Sequence, residues 1–432
     1  MKLRILLVNP WIYDFAAYNL WSRPLGLLKV AEYLDSFNAE LFFIDCTDSF
    51  EIRKYGAGRF RSERAGKPVL LREIPRIYKR YGISTGEFMQ RVRESMPVDI
   101  VLMTCVMSYW YPGAQRAIEL IRELMGDIPV ILGGIYATLY HEHASRFSGA
   151  DFIYKGPLKE SLNFAIRTFG FRPKKRQHGS SHSGTGFYGA HPFAPVLTAS
   201  GCPFRCHYCA SDLLSSGYER RPVGEVIDEL TELNDMGVRD FVFYDDALLV
   251  DPEEHIKPLL RKIVERGFKA RFHTPNGLHA RFLDKEVAGL MKAANFRTVR
   301  LSLETINDRR QSDTGGKVND EDLKRAVGCL KGEGFTKKEI GVYLMYGLPG
   351  QPLEEVREGV EFLKALDVRI SLAEFSAIRG TKSWEELVRR GVIEDDLDPL
   401  LTNNTVFSYL YSGYGPQDVG RTKLDVKEYN SR

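Results

Sequence analysis

Six times between residues 195 and 391, a short apolar run is followed by a segment of helical spacing. The runs are PVLTAS (195–200), RDFVFYDD (239–246), KARFHTP (269–275), RTVRLSLE (297–304), EIGVYLMYG (339–347) and VRISLAEFS (368–376). The helical segments fall at 222–236, 253–266, 284–294, 319–333, 353–366 and 382–391. Such alternation is the pattern of βα units, in which crossover helices join and cover parallel strands. Six units predict a six-stranded partial TIM barrel over 195–380, short of the eight strands of a closed one. Residues 381–432 are left as a C-terminal helix and tail. Their Tyr-rich stretch FSYLYSGYG (407–415) is expected to pack over the barrel or its substrate, and the tail from Pro416 to be loosely held.

The first 160 residues carry a similar rhythm. LRILLV (3–8) is continuously apolar, as a strand buried on both faces must be. PLGLLKVAEYLDSFN (24–38) has helical spacing with Pro at its start. ELFFID (40–45), VDIVLMTC (98–105), IPVILGG (128–134) and ADFIYKG (150–156) read as further strands, with a helix at 112–125. The expected fold is a doubly wound, Rossmann-like α/β domain over 1–160. Residues 53–80 interrupt it with ten Lys/Arg against two Glu, a local balance of +8 that leaves −5 for the rest of a chain of net charge +3. This insertion is expected to be a solvated helical excursion; the alternative is a surface for an anionic substrate or partner. RPKKRQHGSSHSGTG (172–186) is basic and then Gly/Ser/His-rich, so 161–194 reads as a linker, with His178 and His182 in it as weak metal candidates.

A length of 432 residues suits two or three such domains. With 44% hydrophobic and 27% charged residues the composition is globular. A net charge of +3 gives no whole-chain reason to expect nucleic acid or membrane binding. No apolar run approaches the roughly 20 residues that span a bilayer. MKLRILLVNPW reads as a first strand, without a signal-peptide cleavage site, so the expected compartment is the cytoplasm.

Three of the six cysteines fall within eight residues. Directly after the first barrel strand, GCPFRCHYCAS (201–211) sets Cys202, Cys206 and Cys209 in a C-x3-C-x2-C spacing. Three thiolates on one loop can hold three irons of a cubane cluster and leave the fourth iron open. An amino acid can chelate that open iron through its amine and carboxylate. A structural zinc site wants four ligands, usually in two pairs, and no second C-x2-C is present; His207 lies inside the loop as the remaining candidate. A thioredoxin-like C-x2-C has no need of Cys202. Cys46 and Cys329 read as structural.

With these residues the sequence resembles the radical SAM family over about 195–380. The resemblance implies a 4Fe–4S cluster on Cys202, Cys206 and Cys209. It also implies S-adenosylmethionine on the open iron and reductive cleavage to a 5′-deoxyadenosyl radical and methionine. The family's Gly-Gly-Glu stretch after the second strand is replaced here by Tyr244-Asp245-Asp246; Asp245 or Asp246 can accept from the methionine ammonium, or serve as an ordinary capping pair. Ser302 and Glu304 resemble the family's ribose-binding pair at the end of the fourth strand. Gly347, opening GLPGQP (347–352), resembles its adenine-side turn. Asn276 and His279, in TPNGLHAR (274–281), border the implied pocket or organise its loop. Lys317 lies where a base can meet the methionine carboxylate.

A doubly wound domain ahead of such a barrel resembles the cobalamin-binding class of the family, in which that domain places the corrin over the barrel mouth. Thr104, Ser108, Gly133 and Gly134, just after strand ends, are the residues expected along the nucleotide tail. SYWYPG (108–113) offers aromatic surface, with turn and core as the alternative. The D-x-H-x-x-G loop of cobalamin folds is absent, since NPWIYDFAAY (9–18) has no His. The cobalt is therefore expected without a histidine ligand, with water or an aromatic below it; Trp11 and Tyr13 are the candidates near that face. KGPLKE (155–160) also replaces the usual acidic run.

The reading that unites these features is a cobalamin-dependent radical SAM methyltransferase acting on an unactivated carbon of a small-molecule or biosynthetic intermediate, with an external flavodoxin- or ferredoxin-type electron donor. The alternatives are a radical cyclisation, rearrangement or other hydrogen abstraction without methyl transfer, and an RNA-modifying enzyme using the basic insertion. A simple electron carrier would leave the open iron without purpose. The sequence singles out no catalytic acid or base.

Overall fold

The computed structural model describes residues 2–52, 58–156, 158–172, 184–188, 192–313, 315–316 and 318–432. The chain divides into two compact units, Met1–Ala190 with Asp398–Thr402, and His191–Leu397 with Asn403–Arg432.

The first unit is built on β1 (Leu3–Asn9), β2 (Ala39–Asp45), β3 (Ile100–Thr104), β4 (Val130–Gly133) and β5 (Phe152–Ile153). They form one parallel sheet in the order β5-β4-β3-β1-β2. Ile5, Leu6, Leu7 and Val8 of β1 are fully buried, which the continuous apolar run required of a central strand. The helix Leu25–Asp35 buries Leu27, Leu28, Ala31 and Leu34, a stripe at helical spacing that covers one sheet face. The chain runs from β1 outward to β2 and then crosses back to β3. The order therefore reverses between β1 and β3, and the crevice beyond their carboxyl ends is where open α/β sheets bind ligands.

Two expectations for this unit are corrected. The basic segment is not a helical excursion. Gly58–Phe60 pairs antiparallel with Phe50–Ile52, and Ser62–Arg64 and Ile12–Asp14 both pair with Lys79–Tyr81. Phe60, Tyr78 and Tyr81 are buried, and Arg80 is sequestered against Glu63 at 2.7 Å and over the Trp11 ring at 5.0 Å. Antiparallel pairing buries Phe60 and Tyr81 on these short strands, while the charge had suggested solvation. Nor does a linker begin at 161. The helix Leu158–Thr168 puts Leu162, Ala165 and Ile166 into the core of the unit. Farther on, Tyr188 donates to Asp45 at 2.8 Å and lies under the Arg23 guanidinium at 3.8 Å. His178 and His182 lie outside the described residues.

The second unit orders β6 (Phe193–Val196), β7 (Asp240–Phe243), β8 (Arg271–Leu278), β9 (Phe296–Glu304), β10 (Ile340–Tyr346) and β11 (Arg369–Glu374) sequentially in one parallel sheet. This is the partial barrel. Phe241, Phe243, Phe272 and Phe296 stack on its outer face, beneath the helices, with ring centroids 5.5–6.0 Å apart. The tail is not loose. Pro416–Ser431 is a helix, with Pro at a first-turn position where its missing N–H costs nothing. Val426 joins the core, and the Asn430 amide bonds both the N–H and the C=O of Ile370, at 3.0 and 2.8 Å. That pairing satisfies an edge strand that would otherwise be open.

At the end of β4, Gly134 holds φ +92°, and a Cβ there would stand 2.7 Å from the Cys105 carbonyl and from Thr104 Oγ1. Gly134→Ala is therefore expected to destabilise the protein by about 1–3 kcal/mol. Chemical denaturation checks this, and an unchanged midpoint would show that the two strand ends can part freely.

Candidate functional site

The cysteine loop leaves the barrel at the end of β6. Ala199–Ser200 pairs antiparallel with Glu219–Arg220, so the loop is closed at its neck. Gly201 turns the chain off the neck at φ +71°, where a Cβ would stand 2.0 Å from the Gly217 carbonyl. Cys202, Cys206 and Cys209 are all partly exposed. The Cys209 N–H bonds the Cys206 carbonyl at 3.1 Å, and Cys209 Sγ lies 3.3 Å from Ser211 Oγ. A Cβ on Gly315 would stand 3.1 Å from Cys206 Sγ, so this backbone comes close to the thiol. Among the described residues no three His, Cys, Asp or Glu side chains are drawn together tightly enough to hold a metal ion.

Asp245, after β7, fastens the base of this loop. One of its oxygens accepts from the Thr198 and Ala199 amides at 2.8 and 2.6 Å and from Thr198 Oγ1 at 2.7 Å. Thr198 Oγ1 also meets His255 Nε2 at 2.7 Å. Burial drives His255 down to about 4, so the ring is neutral at physiological pH. Asp245 Oδ2 is buried without a hydrogen-bond partner. Burial raises this carboxyl to about 6 even though the Thr198 and Ala199 donors pull it down. Its neighbour Asp246 accepts from Ser211 Oγ at 2.9 Å. Asn276 donates to the Tyr244 carbonyl at 2.8 Å, bracing the ends of β7 and β8.

Glu304 ends β9 at φ +69°, buried, immediately after a register shift between Ser302 and Glu304. Left-handed backbone on a non-glycine residue costs roughly 1–2 kcal/mol, and such strain gathers at functional sites. Ser302 is buried in a space left by Gly277, whose Cβ would lie 2.0 Å from Ser302 Oγ. Tyr208, between two of the cysteines, sits beside Glu304: burial, then the Glu304 charge, pushes its hydroxyl well above the usual range. His279 packs edge-on against Phe204 of the same loop, with centroids 4.6 Å apart. Gly347 turns at φ +83°. Lys317 lies outside the described residues. The structure therefore groups Cys206, Cys209, Tyr208 and Glu304, and ties Asp245 to the stem. Tyr208, Gly277, Thr198 and His255 were not singled out in the sequence; only Tyr208, flanked by cysteines, offered a signal there.

In the first unit Thr104 and Ser108 are buried at the end of β3, beside the switch point. Gly133 and Gly134 end β4, but their lack of side chains serves this chain itself. Thr104 and Cys105 fill the space beside Gly134, and the Tyr154 ring would lie 3.1 Å from a Cβ on Gly133. Trp11 is not available to a corrin face. It is 1% exposed, donates to the Ile83 carbonyl at 2.6 Å and packs on Phe88 at 4.7 Å. An apolar ring after β1 was more valuable to the core than to a ligand. Tyr13 remains partly exposed near Tyr78, with centroids 6.2 Å apart.

Residues 196–363 match the radical SAM superfamily model. An uncharacterized methyltransferase of Pyrococcus horikoshii is 28% identical over 207 residues, 47% of this chain and 43% of its own length. This chain thus spans less than half of that relative. The radical S-adenosylmethionine methyltransferase TsrM from Kitasatospora setae, solved with cobalamin and a 4Fe–4S cluster, has a TM-score of 0.67 at 20% identity over 90% of this chain and 75% of its own. The cobalamin-dependent S-adenosylmethionine radical enzyme OxsB has a TM-score of 0.66 at 12% identity over 99% of this chain and 71% of its own. Residues 196–363 are thus a radical SAM domain within the second unit. Over 90–99% of the chain the fold is similar to that of these two structures. No helix among the described residues is long and apolar enough to cross a membrane.

Asp245 gives this site a pH signature. Its folded value of about 6 lies above the ordinary 3.8. Between those values the folded chain keeps a proton that the unfolded chain releases, so this group makes stability fall as pH rises through that window. Asp245→Asn should remove that slope and stabilise the cofactor-free protein at pH 7.5 by up to about 3 kcal/mol. Melting curves from pH 4 to 7.5 for both proteins check this. Parallel pH profiles would show that Asp245 is solvated.

Proposed function

We propose that the protein is a cobalamin-dependent radical SAM enzyme that methylates an unactivated carbon of a small molecule. The observation that carries this reading is the cysteine triad on the loop after the first barrel strand, closed at its neck by Asp245 and faced by the strained Glu304. The residues present fit the cofactors. The donor set is three thiols, too few to saturate a cubane cluster. Asp245 Oδ2 is a buried acceptor still lacking a donor. For cobalamin the support is topological: an open doubly wound sheet whose switch point is rimmed by the hydroxyls of Thr104 and Ser108.

When bound, the cluster, S-adenosylmethionine and cobalamin supply the electron, the hydrogen-abstracting radical and the methyl group. The chain's own part is positional. Cys202, Cys206 and Cys209 would ligate three irons and leave the fourth for the methionine amine and carboxylate. Asp245, with Asp246 beside it, would accept from that ammonium, and Lys317 would meet the carboxylate. Ser302 and Glu304 would accept from ribose hydroxyls, the strain at Glu304 holding its carboxylate in place before binding. The turn at Gly347 would admit the adenine. Thr104 and Ser108 would bond the nucleotide tail, with Gly133 and Gly134 shaping the strand ends beside it. No histidine follows β1 to ligate the cobalt, and Tyr13 would be the aromatic side chain beside the corrin. An external flavodoxin- or ferredoxin-type protein would supply electrons, and the cytoplasm is the compartment that suits this chemistry.

Anaerobic reconstitution followed by iron, sulfide and corrin analysis tests the reading. Wild-type protein should bind four irons and one corrin per chain, whereas the Cys202/Cys206/Cys209→Ala variant should lose the cluster. A full cluster in that variant would overturn the assignment, and the absence of corrin from a competent protein would remove methyl transfer. Glu304→Ala should weaken S-adenosylmethionine binding by about ten- to a hundred-fold, the value of one charge-assisted hydrogen bond. Equilibrium binding measures it, and unchanged affinity would take Glu304 out of the site.

A further inference from the structure

The inner face of the barrel is built in rows. Val299, Leu301, Ile340 and Val342 belong to the core under the helices, so the residues alternating with them face inward. The lowest row is closed on itself. Asp240 takes two bonds from Arg271 at 2.6 Å and one from His273 Nε2 at 3.0 Å, and His273 Nδ1 meets Thr298 Oγ1 at 3.0 Å. The next row runs in register across three strands as Arg300, Gly341 and Arg369. Above it stand Ser302, Tyr343 and Ser371, with the Tyr343 hydroxyl reaching across β9 to the Pro275 carbonyl on β8 at 2.7 Å.

Arg300 is out of balance. Only Nη1 is engaged, donating to the Val299 and Glu339 carbonyls at 3.3 and 3.1 Å. Among the described residues Nε and Nη2 meet no acceptor and no carboxylate forms an ion pair with it. Asp240, the acid of the row below, is already committed to Arg271 and His273. Gly341 is the floor on which the guanidinium lies, since a Cβ there would stand 2.8 Å from Arg300 Cδ and Nη1. Burial depresses Arg300 below its usual range, Tyr343 opposes this, and the Arg369 charge adds to it. The unengaged nitrogens of Arg300 remain open to solvent, and the exposed Arg369 adds a second positive charge in the same row, so the spot favours an anion.

We propose that Arg300, lying on Gly341 inside the barrel, binds an anionic group of the substrate through the open side of its guanidinium. This rests on the radical SAM reading and deepens it by naming the substrate class, a molecule bearing a carboxylate or a phosphate. The planar fork matches either group with two parallel bonds. Same-face residues on a strand are about 7 Å apart, so the anion is held roughly that much deeper than Ser302, on the side away from the cysteine loop.

The test uses the full chain, loaded with cluster, titrated with inorganic phosphate followed by ³¹P line width and with acetate followed by calorimetry. Arg300→Gln should lose at least about tenfold in affinity for the favoured anion, and Arg300→Lys should recover part of it. Gly341→Ala keeps the charge but displaces the guanidinium, and it should weaken binding as well; circular dichroism confirms that each variant is folded. The stronger of the two anions identifies the substrate group. Equal binding by wild type and Arg300→Gln, or no binding of either anion to wild type, would overturn the proposal. Loss of anion binding on adding S-adenosylmethionine would assign the site to the cofactor's own carboxylate and overturn it too. Iron content, measured on the same samples, reports separately on the cofactor reading. Anion binding that persists in protein unable to hold a cluster would leave this inference standing and remove that reading.

Discussion

The second unit depends on one buried carboxylate. Asp245 takes three short hydrogen bonds from Thr198 and Ala199, the last residues before the cysteine loop departs. Without those bonds the end of β6 would carry two unsatisfied amides, and the loop stem could rotate about its short pairing with Glu219–Arg220. The fastening is expensive, because the other oxygen is buried without a donor. A chain selected for stability alone would use Asn or Ser there. A buried carboxylate oxygen without a donor costs stability that either residue would spare.

The same logic recurs around the pocket. Glu304 is held left-handed, and Ser302 is seated against a glycine that leaves it exactly enough room only for want of a Cβ. Arg300 lies on another glycine with three of its five donors unused. Each arrangement has a local cost that the surrounding sheet sustains. The helices, the stacked phenylalanines of the outer face and the C-terminal helix that closes the edge strand supply that support. Rigidity comes from the outer face, and the inner face is free to be polar and incompletely paired.

The first unit shows a different economy. Its crevice is set by strand order, which no individual residue encodes. The glycines there serve the backbone of neighbouring strand ends, and the tryptophan after β1 serves the core. A ligand at such a switch point is recognised by hydroxyls and main chain that the topology happens to present.

By itself the sequence determined the alternation of elements, because burial on both faces of a parallel strand forces a continuous apolar run and a covering helix forces a 3.6-residue period. It also determined the cysteine loop, since three thiols at that spacing have few other uses. Three kinds of feature were decided only in the tertiary structure. The basic segment became strands, because its end, Lys79–Tyr81, finds one pairing partner at Ile12–Asp14, far away in the chain, and another at Ser62–Arg64. The tail became ordered through one Asn430 amide meeting an edge strand sixty residues away, a contact with no periodicity to betray it. Gly277, Gly341 and Thr198 acquired their roles from the side chain that happens to stand opposite, at distances fixed by register across strands. Periodicity is written locally; opposition across a sheet exists only once the chain has folded.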